Sequence, residues 1–256
     1  MRVKRWLCRA AACSAVLVAL ASAAAGSAAQ ADPTTAQQTL IATPAITITP
    51  SGGLPAQAAP AAAAASTWAG LGPSDLTTAY RLPTSLNPDS TVAVIAANGY
   101  QNAASDLAAY RGNYSLPACT TASGCLKEVN ETGGSNLPTT QDSAWSITTA
   151  ESLDAISAVC PDCHLLVVEA SSAALSDLLA ANDEAVTLGA KFISDPWFIP
   201  EAQIGANETA DDFHFNHPGV AIIVPDGNGG TGFGVSYPAA SPYVVSVGST
   251  TLIKDT

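Results

Sequence analysis

The sequence predicts one α/β domain, a doubly wound and mostly parallel β-sheet with helices on both faces. Short apolar runs of strand length alternate along the chain with longer segments in which apolar residues recur at helical spacing. The strand segments are apolar at nearly every position, which is typical of parallel strands covered on both sides. About 185 residues carry this pattern, enough for a single substantial core.

The predicted elements follow one another in a regular order. A strand at 92–96 is followed by a helix over 102–112, in which Leu107 and Tyr110 recur at helical spacing. The other predicted elements are a helix over 144–159, a strand at 165–169, a helix over 173–188 closed by Gly189, a strand at 192–194, a helix over 207–216, and strands at 220–224 and 244–247. In such sheets ligands bind beyond the carboxyl ends of the strands.

Residues 1–31 have the pattern of a secretory signal peptide. A basic start precedes an Ala/Val/Leu run over 10–25, and a small-x-small cleavage site ends at Ala31. The run is too short and too rich in alanine for a typical transmembrane anchor. Residues 32–68 are rich in Ala, Pro and Thr without a period, which predicts a mobile linker or a vestigial pro-segment. We therefore expect a secreted, extracellular protein whose domain occupies residues 69–256.

The charge balance excludes some functions. The whole chain carries 9 Lys plus Arg against 21 Asp plus Glu, a net charge of −12. Removal of the signal peptide leaves five basic residues against all 21 acidic ones, a net charge of −16. A surface of this sign repels a phosphate backbone, so we expect no nucleic-acid partner. No other run is long and apolar enough to span a membrane, so no membrane partner is expected after signal cleavage.

Four cysteines remain after signal cleavage, and an even number in an exported chain favours disulfides. Because both pairs are local in sequence, we predict Cys119 with Cys125 and Cys160 with Cys163, although four cysteines permit three pairings. A redox-active C-P-x-C would sit after a strand and at a helix N-terminus, whereas here a helix precedes and a strand follows. A zinc site would need two further ligands at suitable spacing.

Several motifs together resemble the sedolisins, a family of secreted serine-carboxyl peptidases with a subtilisin-like fold. The motifs are Gly72-Pro73-Ser74-Asp75-Leu76, Trp145, Cys160-Pro161-x-Cys163 with the following Leu165-Leu166-Val167-Val168-Glu169-Ala170, His217-Pro218-Gly219-Val220-Ala221, and Tyr237-Pro238-Ala239-Ala240-Ser241-Pro242-Tyr243-Val244. The likeness covers about residues 70–253, and the last motif is fairly specific. It implies a subtilisin-like fold for the predicted sheet.

The resemblance also locates the positions of the family's catalytic carboxylates. Sedolisins attack a peptide carbonyl with a Ser hydroxyl that a Glu activates, and an Asp one helical turn later orients the Glu. Counted forward from Trp145 and back from Cys160, these two positions are Thr148 and Ser152. Neither hydroxyl can act as a general base near or below neutral pH. The resemblance thus implies that the base is absent.

The remaining family positions also differ. Glu151 and Asp154 are nearby substitutes of low promise, and solvated helix carboxylates are the better interpretation of both. The family turn G-D-S-G corresponds to G-N-G-G here, which puts Asn228 at the oxyanion position, where its amide could still donate a hydrogen bond. The nucleophile motif G-T-S-x-x-x-P has no counterpart before Thr256. We therefore expect a domain truncated at its C-terminus.

No cofactor and no metal are predicted. The family's calcium loop lies beyond the matched segment, and His214 and His217 lack a third ligand, so they are interpreted as surface histidines. A subtilisin-type triad is not supported, because Ala96 stands where subtilisins carry their Asp.

Three functions remain from the sequence. The first is a secreted sedolisin-like protein, of the serine-type endopeptidase family, without peptidase activity. The second is an active acid peptidase that sequence beyond Thr256 would complete, although Thr148 and Ser152 oppose it. The third is a non-enzymatic exported module that binds a peptide or protein in the cleft at the strand ends.

Overall fold

The computed structural model describes residues 39–45, 71–83, 90–227, 234–249 and 252. Its main sheet has six strands, which are β2 Thr91–Ala97, β3 Leu126–Asn130, β4 His164–Ala170, β5 Phe192–Ser194, β7 Ala221–Pro225 and β9 Val245–Val247. They lie in the order β3-β4-β2-β5-β7-β9, and every neighbouring pair runs parallel. The predicted α/β class with a mostly parallel sheet is confirmed.

Helices cover both faces of this sheet. They are α1 Pro73–Tyr80, α2 Ala103–Asn113, α3 Ser143–Val159 and α4 Leu175–Thr187, with a single turn, α5, at Glu201–Ile204. Alternate residues of β2 contact different cores: Ile95 packs with Leu178 of α4, whereas Val94 packs with Leu107 of α2 and Leu153 of α3. The central strands β2 and β4 are apolar at nearly every position because helices cover both of their faces.

A small second sheet lies beside the first and orders part of the segment before the domain. It consists of β1 Thr43–Pro44, β6 Trp197–Pro200 and β8 Ser236–Tyr237, all antiparallel. Ala42 is buried in the main core, and the compact unit begins at Thr39. Residues 39–45 are therefore packed rather than mobile. The assignment of the rest of 32–68, and of the signal peptide, falls outside the described residues and stays a prediction.

Several elements differ from those expected. The predicted helix over 207–216 is wrong: two 3-10 segments occupy Gly205–Ala210 and Asp212–Phe215. The chain reverses at Gly205, whose φ of +64° suits glycine and ends the helical turn before it. The helix α1 and the strands β1, β3, β6 and β8 were not predicted. The strands among them are short, and β3 lies at the sheet edge with Lys127 exposed. The strand β6 is a continuous apolar run, but it is only four residues long and ends in Pro200.

Both predicted disulfides are confirmed. Cys119 bonds to Cys125 with their Cα atoms 5.0 Å apart, and Cys160 bonds to Cys163 with their Cα atoms 5.4 Å apart. Arg111, which is almost completely buried, links the segment that precedes Cys119 to α3 and to the Cys160–Cys163 loop.

The three hydrogen bonds of Arg111 run from α2 to the segment before Cys119, to α3 and to the Cys160–Cys163 loop. Its Nε donates to the carbonyl of Pro117 at 2.6 Å, one terminal nitrogen donates to that of Pro161 at 2.6 Å, and the other donates to Ser157 Oγ at 3.0 Å. Burial lowers the pKa of Arg111, with the charge of Asp162 acting in the opposite direction. Because its fork-shaped group satisfies three acceptors at once, a lysine could not replace it.

The turn after β2 needs a glycine. The backbone N–H of Gly99 donates to the carbonyl of Thr140 at 2.7 Å, and a Cβ at this position would lie 2.0 Å from the carbonyl oxygen of Pro138. Only a residue without a side chain permits this approach between the end of β2 and the segment that leads into α3.

Candidate functional site

The helix α3 carries both predicted dyad positions, and a capping residue fixes where it begins. The carboxylate of Asp142 accepts hydrogen bonds from the backbone N–H groups of Ala144 at 2.9 Å and Trp145 at 3.0 Å. An aspartate at this position satisfies two of the unpaired donors at a helix start and complements the helix dipole. Trp145, the residue that anchors the resemblance, is buried in the core.

At the dyad positions the structure places two hydroxyl groups that are not arranged for proton transfer. Thr148 is buried, and its Oγ1 has no hydrogen-bond partner among the described residues. Ser152 is half-buried, and its hydroxyl donates to the backbone carbonyl of Thr148 at 2.8 Å. Such a bond to the preceding turn satisfies the hydroxyl within its own helix. The two positions adjoin on one side of α3, as the resemblance implies, and neither carries a carboxylate.

The substitutes Glu151 and Asp154 lie on a different side of α3. Both line a cavity between α1, α2 and α3, whose lining does not include Thr148 or Ser152. Glu151 is exposed, as expected. Neighbouring groups still remove part of the water around its carboxylate, and this desolvation raises its pKa. Asp154 is half-buried, so it is not the fully solvated carboxylate expected from the sequence. Burial, and then the charges of Asp106 and Glu151, raise the pKa of Asp154 to about 7.

This cavity, called here the tyrosine cavity, has a volume of about 1130 Å³. The rings of Tyr100, Tyr110 and Tyr114 line it, together with Asp106 and residues of α1 and α3. The hydroxyl of Tyr100 donates to the carboxylate of Asp106. Burial raises the pKa of Tyr110 to about 12, and burial with the Asp106 bond raises that of Tyr100 further. Both phenols therefore stay neutral at any ordinary pH.

Two carboxyl groups are buried at the carboxyl ends of the central strands, and sequence reasoning missed both. Glu169, in β4, is fully buried: one oxygen accepts from the backbone N–H of Tyr100 at 3.0 Å, and the other has no partner among the described residues. The pKa of Glu169 is raised to about 7. Burial is the largest cause, the hydrogen bond from Tyr100 acts in the opposite direction, and the charge of Glu128 adds to the rise. The signal was a single acidic residue inside an otherwise apolar strand.

Asp195 is the second buried carboxyl group and follows β5 directly. It is completely buried, and neither of its side-chain oxygens has a hydrogen-bond partner within the described part of the chain. Burial raises its pKa to about 8. The nearby indole N–H of Trp197 lowers it by less, although the two groups do not form a hydrogen bond of normal geometry. Asp195 is therefore a neutral acid at and below neutral pH.

The third family position is not reached by the described residues. Asn228, which the resemblance places at the oxyanion position, lies outside them. Asp226, two residues earlier, is exposed and directly follows β7. The backbone of Asp226 is held by two bonds: its N–H donates to the carbonyl of Val247 at 3.1 Å, and its carbonyl accepts from Ser236 Oγ at 2.9 Å. A cavity of about 250 Å³ opens close by, at the carboxyl ends of β5, β7 and β9.

The histidines form a cluster that the sequence did not show. Nδ1 of His214 lies 2.6 Å from one carboxylate oxygen of Asp183 in α4, and Nε2 of His217 lies 3.5 Å from the other. Asn182 donates to the backbone carbonyl of His214 at 2.6 Å. Nε2 of His217 lies closer still to the backbone carbonyl of His214, at 2.9 Å. Both side chains are thus partly buried and have partners, rather than being free surface histidines. Among the described residues, no group of three or more His, Cys, Asp or Glu is arranged to hold a metal ion.

The order of the six parallel strands and the helices on both faces of the sheet are those of the subtilisin-like α/β fold. The solved structure of a Pseudomonas sedolisin, a serine-carboxyl proteinase complexed with two molecules of pseudo-iodotyrostatin, matches this chain with a TM-score of 0.62 and 24% identity. The match covers 73% of this chain and 55% of the sedolisin chain, so this chain spans about half the length of that protein. The predicted subtilisin-like fold is confirmed.

A lanthipeptide protease also matches, with a TM-score of 0.47 and 18% identity over 69% of this chain and 52% of that one. No protein-family profile and no curated protein matches the sequence. None of the helices in the described ranges has the length and apolar character that crossing a bilayer requires.

Proposed function

We propose that this chain is a secreted sedolisin-like protein that does not itself hydrolyse peptide bonds. The fold shared with a sedolisin and the framework motifs in the sequence support the relationship. The predicted signal peptide and the two disulfides support export, because disulfides persist in oxidising compartments. The absence of a base at the dyad positions supports the lack of hydrolysis.

The observation that carries the proposal is the pair of hydroxyls on α3. A general base must bind a proton at the working pH and must lie within hydrogen-bond reach of the nucleophile. The Ser152 hydroxyl is bonded to its own helix, and Thr148 is almost completely enclosed. Even with a nucleophile nearby, neither group could withdraw its proton. Glu151 and Asp154 have the right chemistry, but both line the tyrosine cavity on another side of the helix.

A second candidate is a peptide-binding module, and the cavity at the strand ends favours it. Ser194, Gly227, Gly248 and Ser249 line this cavity at the sheet edge where ligands of parallel sheets bind. Among the described strands β9 lies at the end of the sheet with its residues exposed, a position at which an extended peptide could add a strand. Peptide binding without peptide hydrolysis would distinguish this candidate from a protein that has lost both binding and hydrolysis.

Hydrolysis of a denatured protein and of a quenched-fluorescence peptide library, followed from acid to neutral pH, tests the proposal. We expect no cleavage above that of a heat-inactivated sample. Cleavage that disappears in Ser152→Ala or in Asp154→Asn, with both variants still folded, would overturn the proposal. Cleavage that survives in both variants would also overturn it if the activity stays with the protein through a second purification.

Export is tested separately. Expression with the natural N-terminus in a secreting host should release protein that begins at Asp32 and holds no free thiol among the four remaining cysteines. Retention of residues 1–31 in the mature protein would contradict the signal-peptide assignment, whatever the outcome of the hydrolysis assay.

A further inference from the structure

The tyrosine cavity lies apart from the dyad positions and from the strand ends, and its shape is suited to a ligand. Its walls come from three helices, with Leu76 of α1, Ile147 and Ala150 of α3, and the three tyrosines providing apolar surface. Its volume of about 1130 Å³ slightly exceeds the range of about 300–1,000 Å³ that is typical of small-molecule sites in proteins. It is large enough for several residues of a peptide.

The aromatic wall is held in place before any ligand binds. Tyr100 is fixed at both ends, since its backbone N–H donates to Glu169 at 3.0 Å and its hydroxyl donates to Asp106. The rings of Tyr110 and Tyr114 contact each other with centroids 4.9 Å apart and planes inclined by 55°. A wall fixed in this way spares a ligand the entropic cost of ordering it.

The charge of the cavity is one-sided. Among the described residues that line it, four are acidic, namely Asp106, Asp142, Glu151 and Asp154, and none is Lys, Arg or His. Asp142 already caps α3, but no cation faces Asp106, Glu151 or Asp154 from the cavity lining. The mutual repulsion of these three carboxylates contributes to the raised pKa of Asp154. A positive ligand group would relieve that repulsion.

We propose that the tyrosine cavity binds the Lys or Arg side chains of an extended basic peptide. Carboxylates attract the cationic heads, tyrosine rings stabilise cations at their faces, and the apolar surface of Leu76 and Ile147 accommodates the aliphatic stems. The net charge of −16 on the exported chain raises the local concentration of cationic ligands. This site is separate from the dyad positions, so it can exist whether or not the chain hydrolyses peptides.

Fluorescence anisotropy with a labelled peptide in which Gly alternates with Arg tests the proposal on the full chain. The matched probe replaces each Arg by citrulline, which keeps the shape and removes the charge. We expect the Arg peptide to bind at least about tenfold more tightly than the citrulline peptide at low salt, with the difference shrinking as salt is added.

Two pairs of variants locate the site. Ala155→Lys places a cation in the cavity lining at an exposed helical position, and Ala109→Lys places the same charge on the exposed side of α2 outside the cavity. Asp154→Asn removes a cavity carboxylate, and Asp162→Asn removes an exposed carboxylate elsewhere. Ala155→Lys and Asp154→Asn should each weaken Arg-peptide binding about five- to tenfold, and the two control variants should change it by less than about twofold.

Three results would overturn the proposal. The first is equal affinity for the Arg and citrulline peptides. The second is unchanged binding by folded Ala155→Lys, whose exposed position makes misfolding the lesser risk. The third is an equal loss in Ala109→Lys and Ala155→Lys, which would mean that only the overall charge of the chain attracts the peptide.

Discussion

The buried carboxyl group of Asp195 should make this fold more stable in acid than at neutral pH. The pKa of Asp195 is raised from 3.8 to about 8, because burial without a hydrogen-bond partner disfavours its charged form. The unfolded chain releases this proton near the ordinary value, whereas the folded chain retains it at pH 7. The stability that the neutral acid permits is therefore fully present below pH 3.8 and is lost as the pH rises towards about 8.

The size of the effect follows from the same two values. Each pH unit between the two pKa values costs about 1.4 kcal/mol of folding free energy. Between 3.8 and pH 7 the loss is about 4 kcal/mol, an upper figure because the surroundings can relax around a charged group. This is a large part of the ~5–15 kcal/mol that stabilises a typical domain.

The variant Asp195→Asn keeps the shape and removes the ionisation. Urea unfolding followed by tryptophan fluorescence, with the disulfides intact, gives the free energy of unfolding at about pH 4 and pH 7. Near pH 4 the two proteins should differ by no more than about 1 kcal/mol, because both side chains are then neutral and equally short of partners. At pH 7 the variant should be more stable by up to about 4 kcal/mol.

Asp226→Asn is the matched control, because it makes the same change at an exposed position at the same sheet edge. It should leave the pH dependence as in the unmodified chain. A difference between Asp195→Asn and the unmodified chain that stays constant from pH 4 to pH 7 would refute the reasoning. It would mean that Asp195 is ionised in the folded protein or is not enclosed as the structure shows.

Three further predictions concern stability and use the same unfolding measurement. Arg111→Met should cost about 3 kcal/mol or more, because the carbonyl groups of Pro117 and Pro161 and the hydroxyl of Ser157 lose their donor. A loss below about 1 kcal/mol would contradict this role. Gly99→Ala should cost about 2–3 kcal/mol of stability, because its Cβ would clash with the backbone of Pro138. The control Gly112→Ala, at a helical position with open space around it, should raise the free energy of unfolding by about 0.5–1 kcal/mol. Equal effects of the two variants would show that the turn after β2 adapts. Asp183→Asn should cost about 0.5–1 kcal/mol, and a double-mutant cycle with His214→Ala should show a coupling of similar size, the absence of which would mean that the partly exposed pair contributes nothing.

Part of the candidate site on α3 could be predicted from the sequence. Two independent anchors, Trp145 and Cys160, agreed on Thr148 and Ser152, and the structure places both on one helix with adjoining side chains. Neither residue type can act as a general base near or below neutral pH. The side of the helix that Asp154 occupies, and its partial burial, depend on where α1 and α2 pack, and no local pattern contains that information.

The wrong helix over 207–216 has a related cause. The segment contains only two strong helix formers, Glu208 and Ala210, and Gly205 and the packing of Phe215 in the core favour tighter turns. Intrinsic helix preference amounts to a few tenths of a kcal/mol per residue, and burial of one aromatic side chain outweighs it. The two histidines then contact Asp183, a residue about thirty positions earlier in α4, which sequence spacing could not reveal.

The sequence by itself determined the α/β class, five of the six strands of the main sheet with the helices α2, α3 and α4, and both disulfides. These features depend on periodicity and on residues close together in the chain, so short stretches of sequence are enough to predict them. The tertiary structure alone decided that Asp195 and Glu169 lose all contact with water, that residues 39–45 pack on the domain, and that tyrosines and carboxylates from α2 and α3 line one cavity. Burial and electrostatic environment are set by groups distant in sequence, and these long-range contacts give an ordinary side chain an unusual pKa or a ligand site.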